Sequence, residues 1–526
     1  MTTKPNLRIG IDVGGTNTDA VVVDSSGTVR ARHKAPTTPA VFDGVRAALE
    51  AVLSAVDGSA IGQVMLGTTH PLNAIIRRSG LGRVGVLRIG APATLSVPPL
   101  AGWPNDLVAA LRGPAAIVRG GHEYSGVECG PLDEAAILDF AKQCEGAVDA
   151  IAVTAMSSPI NPAHERRAAE LLREVLGRDI AVTESRDVGG IGLLERENSA
   201  ILNSALVGVG RHVVESLLQA LAHHEMTPDV YLTQNDGTLL TVEEAIRRPV
   251  LTIGSGPTNS MRGAAYLTGL TDAVVMDVGG TSTDVGLLVN GFPRESALAV
   301  EIGGVRTNYR MPDLIAVGLG GGTIVTDENG MRIGPDSVGY RLAGEAIVFG
   351  GSTLTLSDVS VAAGRSTIGE REYLSRLDRG LVRRALESID GRFAALADRI
   401  KASRGPQPLV AVGGGAHLVP DRIEGIDMVH RHEHADVANA IGAAIAEASG
   451  SVDRTFSYDE GGRAYCLEQA RELAVEQAVR AGADPVRVRI TALTEVPMSY
   501  MPGTSVRVQA KAVGPLLPPS RDAGHG

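Results

Sequence analysis

The sequence predicts an α/β protein of two lobes, followed by a small α+β module. Three observations support this fold class. A turn-rich segment occurs twice, as DVGGTNTD at 12–19 and DVGGTSTD at 277–284, and the copies agree at seven of eight positions. Strand-like and helix-like segments alternate around each copy, as in layered α/β folds. The residues after 450 read as a helix followed by two alternating strands.

The 526 residues exceed the usual length of one domain. We place the first lobe at 1–186, the second lobe at 187–450, and the C-terminal α+β module at 451–526. Each lobe then contains one copy of the repeated turn. The repeat therefore predicts two equivalent halves that contribute to one shared site.

In the first lobe, apolar runs flank the turn as two strands, and a helix is expected near 41–55. Strands are expected near 84–89 and 148–153. Asn161-Pro162 predicts the start of a helix over 162–176, because Asn caps helices and Pro fits their first turn. In the remaining chain the pattern predicts a mainly helical stretch at 187–250, a helix near 375–400, a strand at 409–412, helices at 435–448 and 462–481, and two final strands.

Composition excludes several classes of protein. The formal net charge is −11, which argues against nucleic acid or an anionic membrane as a partner. No apolar run approaches the roughly 18 residues of a membrane span, and the start of the chain leaves no room for a secretory segment. The three cysteines form no CxxC pair, so neither a disulfide framework nor a zinc signature is present. We expect a cytoplasmic protein.

The repeated turn has the chemistry of a phosphate site. A simple hairpin needs only the glycine pair, yet aspartate, threonine and asparagine crowd this one. Glycines let backbone N–H groups approach phosphate oxygens, and hydroxyls add neutral donors. A carboxylate at the end of a strand, such as Asp12 or Asp277, suits a hydrated Mg²⁺ ion. Neither copy is a GxxxxGK[ST] loop and neither opens a helix, so P-loop and Rossmann sites are excluded.

The double turn resembles the two phosphate motifs of the actin, Hsp70 and sugar-kinase superfamily. More narrowly, the chain is identified as a member of the hydantoinase/5-oxoprolinase family, resembling its A subunit. The stretches that carry this resemblance follow the family order: LGTTHPLNAIIRR (66–78), GLLERENSAILNSAL (192–206), LTIGSGPTNSMRGA (251–264), DLIAVGLGGGTI (313–324), VAVGGGAHLVP (410–420) and ADVANAIGAAIA (435–446).

The resemblance implies an actin/Hsp70/sugar-kinase-like ATPase core with ATP and Mg²⁺ as cofactors. Residues 412–420 become the adenosine loop, and helix 435–448 resembles the element that crosses back to the first lobe. The expected catalytic residues are Asp12, Asp277 and His70, and the first two also bind the metal. The expected nucleotide-binding residues are Gly14, Gly15, Thr16, Asn17, Thr18, Gly279, Gly280, Thr281, Ser282, Thr283, Gly320, Gly321, Gly413, Gly414 and Gly415.

Several positions keep two interpretations. The glycines at 318–322 form a second wall of the cleft or only a bend. His70 has either a functional or a structural role. The glycine-flanked turn that contains His122 and Glu123 is suited to contact with a substrate or a partner. The HRHEHAD segment at 430–436 resembles a metal cluster, but its spacing favours a solvated loop. No GxSxG, HExxH or convincing cysteine nucleophile occurs in the sequence.

The family resemblance implies ATP-dependent opening of a cyclic amide such as a hydantoin, 5-oxoproline or a lactam. Phosphorylation of the amide oxygen would activate the ring, and a separate hydantoinase B-like subunit would complete the reaction in a hetero-oligomer. Two alternatives remain open. One is a subunit of an ATP-dependent carboxylase of the acetone or acetophenone type, and the other is a non-catalytic remodelling factor driven by ATP.

Overall fold

The structure is a computed structural model that describes residues 7–15, 17–36, 41–296, 299–327, 330–403, 405–459, 461–498 and 503–518. Its two largest sheets each contain one copy of the repeated turn. The first lobe begins with β1 (Leu7–Val13), β2 (Asn17–Val23), β3 (Val29–Pro36), α1 (Val41–Leu53), β4 (Ile61–Thr68) and α2 (His70–Arg77). β1 pairs antiparallel with β2 and parallel with β4. Both hairpin strands are almost wholly buried, as expected for strands covered on both faces.

A second, smaller sheet follows, made of four parallel strands in the order β6-β5-β7-β8. Its elements are β5 (Val84–Ala91), α3 (Asn105–Leu111), β6 (Ala115–Arg119), α4 (Glu134–Cys144), β7 (Ala150–Ala155), α5 (Ala163–Leu176) and β8 (Ala181–Glu184). The helix predicted at 162–176 is present, and the Asn161 side chain accepts a hydrogen bond from the Ala163 N–H. This sheet places the carboxyl ends of its strands along one edge.

The chain then returns to the first sheet. The next elements are α6 (Leu193–His223), β9 (Asp229–Thr233), β10 (Leu239–Thr241), α7 (Val242–Arg247) and α8 (Ser255–Thr268). β9 pairs parallel with β4, so residues beyond 186 belong to the sheet of the first hairpin. Strand pairing thus groups β9 and β10 with the first hairpin. The boundaries of the lobes at 186 and 450 remain a proposal.

The second lobe repeats the arrangement of the first. Its elements are β11 (Ala273–Val278), β12 (Thr283–Val289), β13 (Phe292–Pro293), β14 (Val300–Ile302), β15 (Val305–Thr307), β16 (Leu314–Val317), β17 (Thr323–Thr326), β18 (Arg332–Ser337), α9 (Leu342–Glu345), α10 (Leu356–Ala362), α11 (Arg379–Ile400), β19 (Gln407–Val412) and β20 (Ile426–His430). β11 pairs antiparallel with β12 and parallel with β19, as β1 does with β2 and β4. The two lobes therefore share both the turn and its surrounding topology.

The C-terminal elements are α12 (Ala438–Ala444), β21 (Ala448–Ser457), α13 (Gly462–Arg480), β22 (Arg489–Pro497) and β23 (Ser505–Gly514). The helix expected over 435–448 is shorter, because β21 starts at Ala448 and pairs parallel with β10. β21, β23 and β22 thereby extend the first sheet to nine strands. The expected separate module is thus continuous with the first lobe. Within the described residues, none of the helices combines the length and apolarity that crossing a bilayer requires.

Two helices lie between the lobes. α8 packs on β11 and β19 of the second lobe, whereas α12 packs on β2 of the first lobe. The helices approach each other closely at glycines: a Cβ atom on Gly263 would lie 1.9 Å from the Ala438 carbonyl oxygen, and one on Gly442 would lie 1.9 Å from the Asn259 carbonyl oxygen. This crossing sets how the two hairpins face each other.

Gly263→Ala should therefore destabilise the protein by about 1–3 kcal/mol or more, because the methyl group overpacks the crossing. The matched control is Gly208→Ala in α6, where a Cβ atom would meet nothing within 4 Å. That change should instead stabilise the helix by up to about 1 kcal/mol. Urea unfolding of both variants measures the difference, and equal stability of the two would contradict the close crossing.

Candidate functional site

The two hairpins have the same register. Asp12 lies opposite Asp19 in the first hairpin, and Asp277 lies opposite Asp284 in the second. The Gly14 N–H donates to the Asn17 carbonyl oxygen at 3.0 Å, and the Gly279 N–H donates to the Ser282 carbonyl oxygen at 2.9 Å. Each turn is thus closed by the same hydrogen bond.

Residues at the tips of both turns are accessible. Gly15, Thr281 and Ser282 are exposed, and Gly14 and Asn17 are partly exposed. Thr18 and Thr283 are fully buried, and the Thr283 hydroxyl donates to the Leu319 carbonyl oxygen at 2.5 Å. The predicted ligand Thr16 lies outside the described residues. The exposed tip groups are therefore the ones placed to meet a ligand.

The glycines at 320–322 pack directly on the second turn. The Gly321 N–H donates to the Gly279 carbonyl oxygen at 2.9 Å, and the Gly322 N–H donates to the Gly280 carbonyl oxygen at 2.6 Å. A Cβ atom on Gly320 would lie 2.7 Å from the Thr281 nitrogen. Of the two interpretations of this loop, a wall beside the turn fits these contacts.

The glycines at 413–415 contact the same hairpin from the end of β19. The Gly415 N–H donates to the Val278 carbonyl oxygen at 2.7 Å. Gly413 has a φ of +85°, and a Cβ atom there would lie 2.4 Å from Oδ1 of Asp277. Only glycine fits this position. A short 3₁₀ turn, Ala416–Leu418, follows the loop.

One helix connects the aspartates of the two hairpins. Asn259 of α8 donates from Nδ2 to Oδ1 of Asp12 at 3.1 Å. The next residue, Ser260, donates from Oγ to Oδ2 of Asp277 at 2.5 Å. Because adjacent residues of α8 reach both carboxylates, Asp12 and Asp277 converge at one point between the lobes.

Two further residues contact the aspartates of the first hairpin. Asn439 of α12 donates from Nδ2 to Oδ2 of Asp12 at 3.0 Å and to Oδ2 of Asp19 at 2.8 Å. Lys34 donates from Nζ to Oδ1 of Asp19 at 2.7 Å and to the Asp436 carbonyl oxygen at 2.9 Å. A Cβ atom on Gly414 would lie 3.8 Å from Cε of Lys34. Lys34 thus extends from the first hairpin sheet to the glycine loop of the second lobe.

Burial and mutual repulsion disfavour the ionised forms of these carboxylates. Burial raises the pKa of Asp12 to about 6; hydrogen bonds from Asn259 and Asn439 oppose this shift, and the charges of Asp19 and Asp277 add to it. Burial also raises the pKa of Asp277. Burial and the charge of Asp277 together raise the pKa of Asp284 to about 7. A cation at this point would relieve the repulsion, so the donor set fits a divalent metal such as Mg²⁺.

His70 is the first residue of α2, and the start of this helix lies beside the first hairpin. The backbone N–H and the hydroxyl of Thr69 donate to the Val13 carbonyl oxygen at 3.1 and 3.3 Å. The His70 side chain is half-buried, and its pKa is lowered by burial and by the charges of His212 and Arg77. Its charged neighbours therefore lie on α2 and α6, and its role in catalysis stays a proposal.

The other histidine candidates lie elsewhere. His122 follows β6 in the four-stranded sheet and is fully buried. In the 430–436 segment, the rings of His432 and His434 have centroids 5.5 Å apart and both residues are partly exposed. In the described part of the chain, the group of side chains able to hold a metal ion includes His122 and none of the 430–436 histidines.

Sequence reasoning missed four side chains of the site: Lys34, Asn259, Ser260 and Asn439. Three of them stand within the segments that carry the family resemblance, 251–264 and 435–446. For Asn439 the available signal was a polar residue in an otherwise apolar helix, and for Asn259 and Ser260 it was the run of polar residues in the first half of α8. No comparable signal marked Lys34, because it lies in a strand in which basic and small residues alternate.

Asp284→Asn should stabilise the free protein at pH 8.5 and have a smaller effect at pH 5. The unfolded chain ionises Asp284 near pH 3.8, whereas the folded chain does so near pH 7. Stability therefore falls as the pH rises through this window, by about 4 kcal/mol at most. Thermal unfolding at both pH values measures the effect. A variant no more stable than the wild type at pH 8.5 would contradict it.

The fold and the site together define the class of this protein. Two lobes, each with a glycine-rich hairpin beside parallel strands and joined by crossing helices, form an actin/Hsp70/sugar-kinase-like core. The chain matches the hydantoinase/oxoprolinase N-terminal region over residues 8–176 and the hydantoinase/oxoprolinase family model over residues 196–404. It belongs to the hydantoinase/oxoprolinase family.

Individual relatives agree with this assignment. The chain is 30% identical to caprolactamase subunit alpha of Pseudomonas jessenii over 69% of its own length and 55% of that protein. It is 29% identical to the acetophenone carboxylase gamma subunit of Aromatoleum aromaticum, over 68% of its own length and 53% of that protein. The matches thus span about half the length of these curated relatives.

A solved structure supports the fold. The crystal structure of ATP-dependent caprolactamase from Pseudomonas jessenii superposes with a TM-score of 0.76. This superposition covers 99% of the present chain and 89% of the other, at 22% identity. The predicted fold class is therefore confirmed.

Proposed function

We propose that the cleft between the two hairpins binds Mg²⁺-ATP and directs its γ-phosphoryl group to an oxygen atom of a small substrate. The observation that carries this proposal is the convergence of Asp12 and Asp277 on Asn259 and Ser260, adjacent residues of α8. The description of the related caprolactamase as ATP-dependent supports the choice of nucleotide.

Asp12 and Asp277 would hold the metal, which when bound supplies positive charge to the phosphate oxygens. The exposed backbone of the turns around Gly15 and Gly280 would approach the phosphates, where N–H groups bind anions. The glycine loop at 413–415, which packs against the second hairpin, would contact the nucleoside. Lys34 donates to Asp19, and Asn439 donates to both Asp19 and Asp12, so these two side chains hold the first hairpin's carboxylates in place.

The substrate we propose is a cyclic amide. An unstrained lactam is a poor electrophile, because its nitrogen lone pair is delocalised into the carbonyl group, and its amide nitrogen is also a poor leaving group. Transfer of the γ-phosphoryl group to the amide oxygen releases ADP and activates the ring carbon for attack by water. The carbon–nitrogen bond then breaks to leave an acyl phosphate, and a second water releases phosphate and the ring-opened acid. Positioning and charge neutralisation suffice for such a transfer, so the protein needs no covalent nucleophile. The relation to caprolactamase subunit alpha supports this substrate class.

A carboxylase role is the second candidate, and the similarity to the acetophenone carboxylase gamma subunit favours it. In that case the phosphoryl group would pass to an oxygen of bicarbonate or of a ketone-derived enolate. The same hairpins serve both reactions, since each begins with phosphoryl transfer to oxygen. The hydrolase and carboxylase roles therefore differ in the substrate that receives the phosphoryl group and not in the nucleotide site.

A substrate panel tests the proposal. The protein is purified with its native partners, and ADP release is measured with hydantoins, 5-oxoproline, lactams, and ketones with bicarbonate. Stimulation by a cyclic amide, with matching release of the ring-opened acid, is the expected result. Stimulation only by ketone plus bicarbonate would establish the carboxylase role. ATP turnover that no substrate stimulates would favour a remodelling factor.

A further inference from the structure

A second polar cluster lies at the edge of the four-stranded sheet, where the carboxyl ends of parallel strands commonly bind ligands. It consists of His122 after β6, Glu128 in the following loop, and His164 in the first turn of α5. His122 and Glu128 face each other across an antiparallel bridge. One ligand atom from each of the three residues lies within 4.8 Å of the other two.

His164 has a fixed role in this cluster. Its Nδ1 accepts a hydrogen bond from the Gly121 N–H at 2.8 Å, so its proton resides on Nε2. That Nε2 faces Oε1 of Glu128 at 3.2 Å. His164 therefore donates to the carboxylate and orients it, and its own nitrogens are both engaged.

His122 differs from His164. Its side chain is fully buried, and its ring packs against that of His164 in a tilted arrangement, with centroids 4.3 Å apart. Among the described residues, neither Nδ1 nor Nε2 of His122 finds a hydrogen-bond partner. A buried polar group without a partner destabilises the folded state. A bound species that contacts this ring would remove that destabilisation.

We propose that His122 and Glu128 bind a divalent transition-metal ion, with His164 as the positioning residue. One imidazole nitrogen and one carboxylate oxygen form a donor set suited to Zn²⁺ and its neighbours. Two bonds of about 2.0–2.2 Å span at most about 4.4 Å, so ligand atoms that lie within 4.8 Å of each other need only a small approach to share one ion. Glu128, whose side chain is 58% exposed, is free to adjust its position, and water completes the coordination. Hydrogen bonds to a ligating carboxylate are the usual outer support of such sites.

Zinc titration of the full-length protein by calorimetry tests the site. All variants carry His432→Asn and His434→Asn, which remove the histidine pair at 430–436, and Cys129→Ser, which removes an exposed thiol beside Glu128. Glu128→Gln and His122→Asn should each weaken the binding of Zn²⁺ at least tenfold. Glu123 is an exposed neighbour of the site, and Glu123→Gln is the matched control. It should bind Zn²⁺ as tightly as the parent protein, which carries only the three background substitutions.

Two further variants test the positioning role. His164→Ala should weaken Zn²⁺ binding about tenfold or more. His164→Gln retains a donor and an acceptor and should restore most of the affinity. Because Glu128 is largely exposed, its variant tests the site even if His122→Asn does not fold. Absence of Zn²⁺ binding in the parent, or unchanged affinity in Glu128→Gln, would overturn the proposal and leave ordered water as the occupant.

Discussion

Asp277→Asn should reduce Mg²⁺-dependent ATP turnover by about 100- to 1,000-fold and leave the fold intact. The substitution retains the shape of the side chain and an acceptor for the Ser260 hydroxyl, but removes the charge that would hold the metal. Asp12→Asn should act in the same direction, since its carboxylate converges on the same helix. Steady-state ADP release by the complex with its partner subunit, at saturating Mg²⁺-ATP, measures both effects.

The matched control is Asp272→Asn. Asp272 precedes the strand that ends in the second turn, and it is exposed at the opposite end of that strand. Its variant should turn over ATP as the wild type does. If Asp12→Asn and Asp277→Asn are both folded and fully active, the two-hairpin site is not where ATP reacts.

The isolated chain should bind ATP but open no ring. The described cleft supplies phosphate-binding turns and carboxylates, and a phosphorylated amide must also be shielded from water. We expect a B-like partner subunit to close the site. Purified chain, each cyclic amide and Mg²⁺-ATP are mixed, and ADP and the ring-opened acid are followed together. Both products should appear only when the partner is added.

A reconstituted complex containing Asp277→Asn provides the control for this experiment. It should assemble normally, because the changed side chain lies between the lobes, yet release neither product. Stoichiometric ring opening by the isolated wild-type chain would mean that the division of labour between subunits is misjudged.

The duplicated turn was sufficient to predict the two-lobed fold and the facing hairpins. Seven matching residues specify not only a turn but the aspartate that pairs across each hairpin. The sequence showed where along the chain the glycine loops occur, but not what they contact. The contacts of Gly320 and Gly413 with the second hairpin are visible only in the three-dimensional structure. The spacing of residues within one segment cannot show which distant strand that segment contacts.

Long-range pairing was the part that the sequence did not reveal. β21 joins β10 through residues more than 200 positions apart, so the C-terminal strands extend the first sheet. Asn259 likewise reaches Asp12 across 247 positions. Polar residues in helices were visible, but their partners depend on how α8 and α12 cross. The crossing in turn depends on Gly263 and Gly442, which local patterns treat as helix breakers.

Hydrogen exchange with and without Mg²⁺ and a non-hydrolysable ATP analogue tests the central claim most directly. If both hairpins clamp one nucleotide, backbone amides of the turn after β1 and of the turn after β11 should become protected together, along with those of the loop after β19. In Asp277→Asn the same protection should require far more ligand. Protection of one hairpin alone, or of neither, would contradict a shared site between the two lobes.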